Sequence, residues 1–143
     1  MVGNHIDVVV VGAGISGIGA AYNLQTRCPQ KTFTILEGRS NIGGTWDLFK
    51  YPGVRSDSDM HTMGFKFKPW NSPKTIADGP AILSYLDETV EENDLRKKIQ
   101  FNKKVIGASW SSNEALWTLD VEDQSTKTVE KTTCNILYLC GGY

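Results

Sequence analysis

Near the start of the chain, Ile6-Asp7-Val8-Val9-Val10-Val11 runs straight into Gly12-Ala13-Gly14-Ile15-Ser16-Gly17. The segment from Ile15 to Arg27 then holds no proline and repeats apolar residues at helical spacing. A β-branched apolar run of this kind suits a buried parallel strand. Short glycine patterns arise by chance, so G-x-G-x-x-G carries weight only between a strand and a helix, which is where it stands here. Gly12 permits the tight bend, Gly14 removes the Cβ that would keep a pyrophosphate off the backbone, and Gly17 lets the helix lie close on the strand. The first amides of the helix, those of Ile15 and Ser16, have no partner within it and sit at the positive end of its dipole, which suits a doubly charged pyrophosphate. The dipole contributes only about 0.3–1 kcal/mol per charge at an exposed site, so hydrogen bonds must supply much of the grip.

A second strand is predicted at Thr32-Phe33-Thr34-Ile35-Leu36, and Glu37 ends it twenty residues after Gly17. A carboxylate there can accept both ribose hydroxyls. Up to this point an FAD site, an NAD site and a turn kept for packing are all open. The glycine pair Gly43-Gly44 separates them by resemblance. From Gly12 through Ala21, Leu24 and Glu37 to Gly43-Gly44, the chain resembles flavoproteins with two dinucleotide-binding domains, in which a glycine pair lies near the FAD.

Gly43-Gly44-Thr45-Trp46-Asp47 and the run from Tyr51-Pro52-Gly53 to Asp59 narrow the resemblance to the class B flavoprotein monooxygenases, in particular the Baeyer–Villiger type. Asp57-Ser58-Asp59-Met60 and the run from Gly64 to Trp70 are most similar to the ethionamide-activating branch of that family. The resemblance implies that Gly44, Thr45, Trp46 and Tyr51 wrap the flavin, with Trp46 and Tyr51 bordering its ring. It implies that Asp57 matches an active-site aspartate paired with a catalytic arginine further along. It also implies that Val105 touches the adenine through its backbone and that Gly141 lets the chain pass near the FAD phosphates. The activity implied is that of an oxidoreductase: NADPH reduces FAD, and O₂ then gives a C4a-peroxyflavin that inserts oxygen into a ketone or transfers it to sulfur or nitrogen.

The resemblance covers almost the whole chain but not all of the family's machinery. A second G-x-G-x-x-G for NADPH is absent, and His5 and His61 do not fit F-x-G-x-x-x-H-x-x-x-W. The expectation is an FAD-binding N-terminal part of a larger enzyme, inactive alone. A non-catalytic FAD module and an inactive fragment are the alternatives.

Independently of any family, residues 38–78 show no clear helix, and a loop so long in a compact domain is usually functional or disordered. Trp46, Phe49, Tyr51 and Trp70 argue against disorder. Flat apolar rings with polar edges are bound by aromatic side chains and free backbone amides, which this loop offers. Phe65-Lys66-Phe67-Lys68 reads as a short strand with two solvated lysines, and His61 as a loop histidine.

Asp78-Gly79-Pro80 opens a helix with an apolar stripe at Ile82, Leu83, Leu86 and Val90, while Glu88, Glu91 and Glu92 form a solvated face. Ile99-Gln100-Phe101 is a short strand. Alternation over Lys104–Trp110, Ala115–Glu122 and Lys127–Thr133, joined by polar turns, predicts a three-stranded antiparallel meander. A further parallel strand is predicted at Ile136–Cys140. The fold class is therefore α/β, a Rossmann-like FAD-binding domain over residues 1–143, expected to be incomplete, with the meander inserted at about 104–133.

At 143 residues the chain is long enough for one core. Its net charge of −1 gives no electrostatic footprint for nucleic acid. No apolar run reaches the roughly 18 residues of a membrane span, and no signal-peptide pattern precedes Gly12, so a cytoplasmic protein is expected. Cys28, Cys134 and Cys140 lack metal or disulfide spacing, and Cys140 reads as a buried small hydrophobe; no metal is expected. The partners implied are a small-molecule substrate and O₂, with a homo-oligomer possible through an exposed sheet edge.

Overall fold

The computed structural model describes residues 4–142. In chain order it contains β1 (Asn4–Val11), α1 (Ile15–Arg27), β2 (Phe33–Leu36), α2 (Thr45–Leu48), α3 (Met60–Met63), α4 (Gly79–Glu92), β3 (Ile99–Gln100), β4 (Lys103–Ser111), β5 (Leu116–Asp123) and β6 (Val129–Leu139). The six strands form one sheet in the order β3-β2-β1-β6-β5-β4. Strands β3, β2, β1 and β6 run parallel, whereas β5 and β4 are antiparallel, so the domain is α/β with a parallel centre and an antiparallel meander at one side.

One strand differs from its sequence reading. The third meander strand and the final parallel strand are a single strand, β6, which pairs antiparallel with β5 and parallel with β1. Glu130, Lys131 and the two threonines after them interrupt the apolar pattern, which made one strand look like two. The backbone nevertheless stays extended there because β5 pairs along all of it and β1 joins on the other side from Thr132 onward.

Alternation along β1 divides the core. Val8 and Val10 belong to a large cluster with Phe33, Ile35 and Ile99 of the neighbouring strands and the apolar stripes of α1 and α4, whereas Val9 joins Leu36, Leu119, Val121 and Cys134 on the other face. Ile82, Leu86 and Val90 of α4 are fully buried, each contributing roughly 1.5–3 kcal/mol. The helix starts where Asp78 Oδ1 accepts the Ala81 amide at 2.9 Å, with Pro80 in the first turn.

The long loop does hold helix, but only the single turns α2 and α3, too short for an apolar period to be legible. Asp59 caps α3 by accepting the Thr62 amide at 2.9 Å. Residues 65–70 are pinned by aromatic packing rather than by strand pairing. Tyr22 stacks on Phe67 at 3.5 Å, Phe67 on Phe65 at 4.8 Å, and Phe65 on Tyr85 at 5.8 Å between ring centroids. The Tyr85 hydroxyl accepts the Phe65 amide at 2.7 Å and donates to the Lys68 carbonyl at 2.6 Å. Lys68 is accordingly not a solvated strand lysine: it lies 2.7 Å from Glu92 and 3.7 Å from Glu88, and the Glu92 carboxylate raises its pKa. Among the described residues, no helix is long and apolar enough to cross a membrane.

Candidate functional site

The carboxyl ends of β1, β2 and β6 converge on the N-terminus of α1. Open α/β sheets bind ligands at such a point. A cleft of about 530 Å³ lies there, and Gly12, Gly14, Ile15, Ser16, Glu37, Gly44, Thr45, Trp46 and Gly141 all line it.

Its floor is two glycine turns packed back to back. Gly12 has φ of 102°, and a Cβ on it would lie 2.4 Å from the Cys140 carbonyl oxygen. A Cβ on Gly17 would lie 1.9 Å from the Gly12 carbonyl oxygen, so this glycine serves helix–strand approach and lies beneath the cleft rather than on it. Gly43 and Gly44, at φ of 111° and 52°, form the second turn, tied to the first by the Gly43 amide donating to the Ala13 carbonyl at 2.9 Å. A Cβ on Gly44 would come within 3.2 Å of the Gly14 Cα. No side chain caps α1, whose N-cap is Gly14, so the first amides of the helix face the cleft without a protein acceptor from that position.

Glu37 stands at the end of β2, only 8% exposed. Its Oε2 accepts the Ala13 amide at 2.8 Å and its Oε1 the Arg39 amide at 2.9 Å. These two donors fix the carboxylate beside the first glycine turn, and each oxygen keeps a lone pair for a hydroxyl. The acid's main chain is held as well, donating to the Gln100 carbonyl and accepting from Lys103, both at 2.9 Å.

Part of the cleft wall is apolar and aromatic: Trp46, Leu48 and Phe49 contribute to it, as do Tyr138 and Leu139 at the end of β6; Leu139 is 73% exposed. Trp46 and Phe49 also border an adjoining hollow of about 580 Å³, whose wall includes Tyr51, Val54 and Leu83. Tyr51 therefore lies next to the cleft, not in it. Asp57 is exposed on the loop between α2 and α3 and lines neither space. Val105 packs against the second core cluster and is off the cleft wall; a Cβ on Gly38, which follows the acid, would meet the side chain of the neighbouring Lys104 at 3.5 Å.

Several cleft residues escaped the sequence reading. Arg39 donates to the Gly44 carbonyl at 3.4 Å and pairs closely with Asp47, a carboxylate only 5% exposed. Opposite charges flanking a glycine pair were the available signal. Tyr138, Leu139, Cys140 and Gly142 come from the end of β6, and the rule that ligands gather at carboxyl ends of parallel strands would have found them. Cys140 is half-buried against the cleft, and burial raises its pKa.

The strand order and the uncapped glycine turn define a Rossmann-like nucleotide-binding domain, and residues 10–78 match the family described as NAD(P)-binding Rossmann-like domain. Over 139 residues the chain is 57% identical to the FAD-containing monooxygenase EthA of Mycolicibacterium smegmatis, covering 97% of this chain and 28% of that protein. It is 51% identical to the probable FAD-binding monooxygenase AlmA of Acinetobacter baylyi, with the same coverage. Among solved structures, oxidized steroid monooxygenase bound to NADP superimposes with a TM-score of 0.86 at 30% identity, covering 97% of this chain and 26% of that one. Cyclohexanone monooxygenase in its closed form gives 0.84 at 28% identity, covering 98% and 26%. The chain is thus similar over nearly its whole length to the N-terminal part of FAD-containing monooxygenases, and spans 28% of the length of the curated relatives it matches.

Proposed function

We propose that this chain binds FAD in the cleft at the strand ends, as the FAD-binding part of an NADPH- and O₂-dependent flavin monooxygenase. One observation carries the reading: an uncapped helix N-terminus opens across bare glycine backbone into a cleft whose wall holds both a fixed carboxylate and aromatic side chains. The residues fit the cofactor part by part. Glu37 would accept the ribose hydroxyls, the amides of Gly14, Ile15 and Ser16 would take the pyrophosphate, and Gly44, Thr45 and Trp46 would border the flavin, with Tyr51 reached through the adjoining hollow. The bare surface at Gly14 and Gly44 is a cradle that side chains would fill. When bound, FAD supplies the redox and oxygen-transfer chemistry, while the protein orients the ring.

In the whole protein the substrate would be a small molecule oxygenated at a ketone, sulfur or nitrogen. Asp57 is proposed to act there as a catalytic carboxylate from its exposed loop, and the backbone at Val105 and Gly141 to complete the adenine and phosphate contacts. A cytoplasmic setting fits three free cysteines. A second reading, an FAD module without oxygenase activity of its own, is favoured by Glu37, whose two oxygens are already engaged by the Ala13 and Arg39 amides.

The test is the visible spectrum of the purified chain, mass spectrometry of what heating releases, and titration of the ligand-free protein with FAD. A flavin spectrum or saturable quenching of FAD fluorescence supports the site; NADPH oxidation then separates oxygenase from module. Binding of NAD⁺ with no binding of FAD would overturn the reading.

A further inference from the structure

We infer that Arg39 is a positioning residue of the cleft, a strut between the carboxylate that ends β2 and the second glycine turn, needed for gripping the far half of a dinucleotide and not its adenosine half. The inference rests on the reading of the cleft as an FAD site.

Four contacts fix Arg39. Its amide donates to Glu37 Oε1 at 2.9 Å, its carbonyl accepts the Asn102 amide at 3.0 Å, and its guanidinium reaches the Gly44 carbonyl at 3.4 Å and pairs with Asp47. One residue thereby joins β2, the turn between β3 and β4, and α2.

The second turn needs such a strut. Gly44 holds φ of 52° and ψ of −121°, a conformation open to glycine and costly to other residues. It leads directly into Thr45 and Trp46 on the cleft wall. α2 is a single turn whose N-cap residue offers no side-chain bond. Its tie to the first turn is the Gly43 amide on the Ala13 carbonyl, at 2.9 Å. Asp47 is the one buried residue of α2, and Lys50, its other cationic neighbour, is 4.0 Å away and largely exposed. The guanidinium fork can engage the carbonyl and the carboxylate together, whereas an ammonium at that distance is a point charge that satisfies one. Glu37 keeps its two amide donors whatever occupies the side chain of residue 39, so the ribose end of the cleft does not depend on the strut.

The experiment compares FAD with ADP as probes, by calorimetric titration of the ligand-free 143-residue chain. The variants are Arg39→Lys, which leaves a cation beside Asp47, and the double variant Arg39→Gln with Asp47→Asn, which leaves no buried charge unpaired. Thermal melts and far-UV spectra accompany both. Each folded variant is expected to lose roughly tenfold or more in FAD affinity, the scale of one forked charged contact, with ADP affinity changed by less than about threefold. Equal loss of both ligands, or no loss of either, would overturn the strut while leaving the FAD site standing. Failure of the unaltered chain to bind FAD or ADP would overturn both.

Discussion

Replacing Glu37 separates a ligand contact from a structural one, because both of its oxygens are already engaged within the chain. Ala13 is fully buried, so Glu37→Ala leaves its amide without a partner and out of reach of water. An orphaned buried donor costs roughly 1–3 kcal/mol. The Arg39 amide is less enclosed and can turn to water, which adds about 1 kcal/mol for the lost charged bond. The ligand-free alanine variant should therefore lose about 2–4 kcal/mol. Glu37→Gln keeps one acceptor oxygen and turns an NH₂ toward the other donor. If the amide oxygen stays with Ala13, the loss is about 1–2 kcal/mol. Urea unfolding without ligand measures both, and thermal melts should fall by roughly 3 °C per kcal/mol in a chain of this size. An alanine variant within about 0.5 kcal/mol of the unaltered chain would refute the reasoning. So would equal losses for the two variants, since these would show that the orphaned amide is not the cause.

The glycines divide by what a methyl would meet. Gly17→Ala puts Cβ 1.9 Å from a backbone oxygen and should cost about 3 kcal/mol or more in unfolding, whereas Gly14→Ala meets nothing nearer than the Gly44 Cα at 3.6 Å and should fold within about 1 kcal/mol of the parent yet fail to bind FAD in titration. Acid sensitivity should trace in part to Asp123, whose pKa is lowered from 3.8 to about 2, first by Lys103 and then by the amides of Ser125 and Thr126. A depressed folded pKa gives stability that is present above the unfolded value and lost as pH falls through the folded one, so Asp123→Asn should flatten the stability curve between about pH 4 and about pH 2 in denaturant titrations. The free edge of β4 exposes Ile106 by 51% and Trp110 by 48%, so self-association through that edge should show in light scattering and fall with Ile106→Lys; an unchanged mass distribution would remove the edge as its route.

Where sequence and structure agree, a local cause was strong enough to be read locally. The valine run with the glycines behind it marked the end of β1, both ends of α1 and the turn between them, although β1 starts two residues earlier, at Asn4, and Asp78 with Pro80 marked the start of α4. The continuity of β6 was hidden because its charged stretch is held by neighbours distant in sequence, not by its own pattern. Lys68 looked solvated for a related reason: its carboxylate partners sit on α4, twenty or more residues away. In the site, backbone-driven positions such as Gly12, Gly14 and Glu37 were legible from spacing alone. The Arg39–Asp47 pair and the end of β6 were not: the pair closes only across the folded glycine turn, and strand order brings the end of β6 to the cleft.

What the cleft can do follows from how its polar groups are occupied. Its carboxylate, Glu37, takes two amides; its guanidinium, Arg39, is paired with a buried aspartate; its thiol, Cys140, is pushed up by burial and so stays protonated at neutral pH. None of the three is left to shuttle a proton, and the remaining wall is glycine backbone, apolar side chains and the hydroxyl-bearing Ser16, Thr45 and Tyr138. A surface of that kind binds and orients, leaving redox chemistry to the group it holds. Substitutions on it should therefore act on the occupancy of the cofactor. Once FAD is saturating, a change at Arg39 should leave turnover per bound flavin near that of the parent in any whole enzyme that carries this domain. A fall in turnover at full occupancy would mean that the cleft takes part in the chemistry.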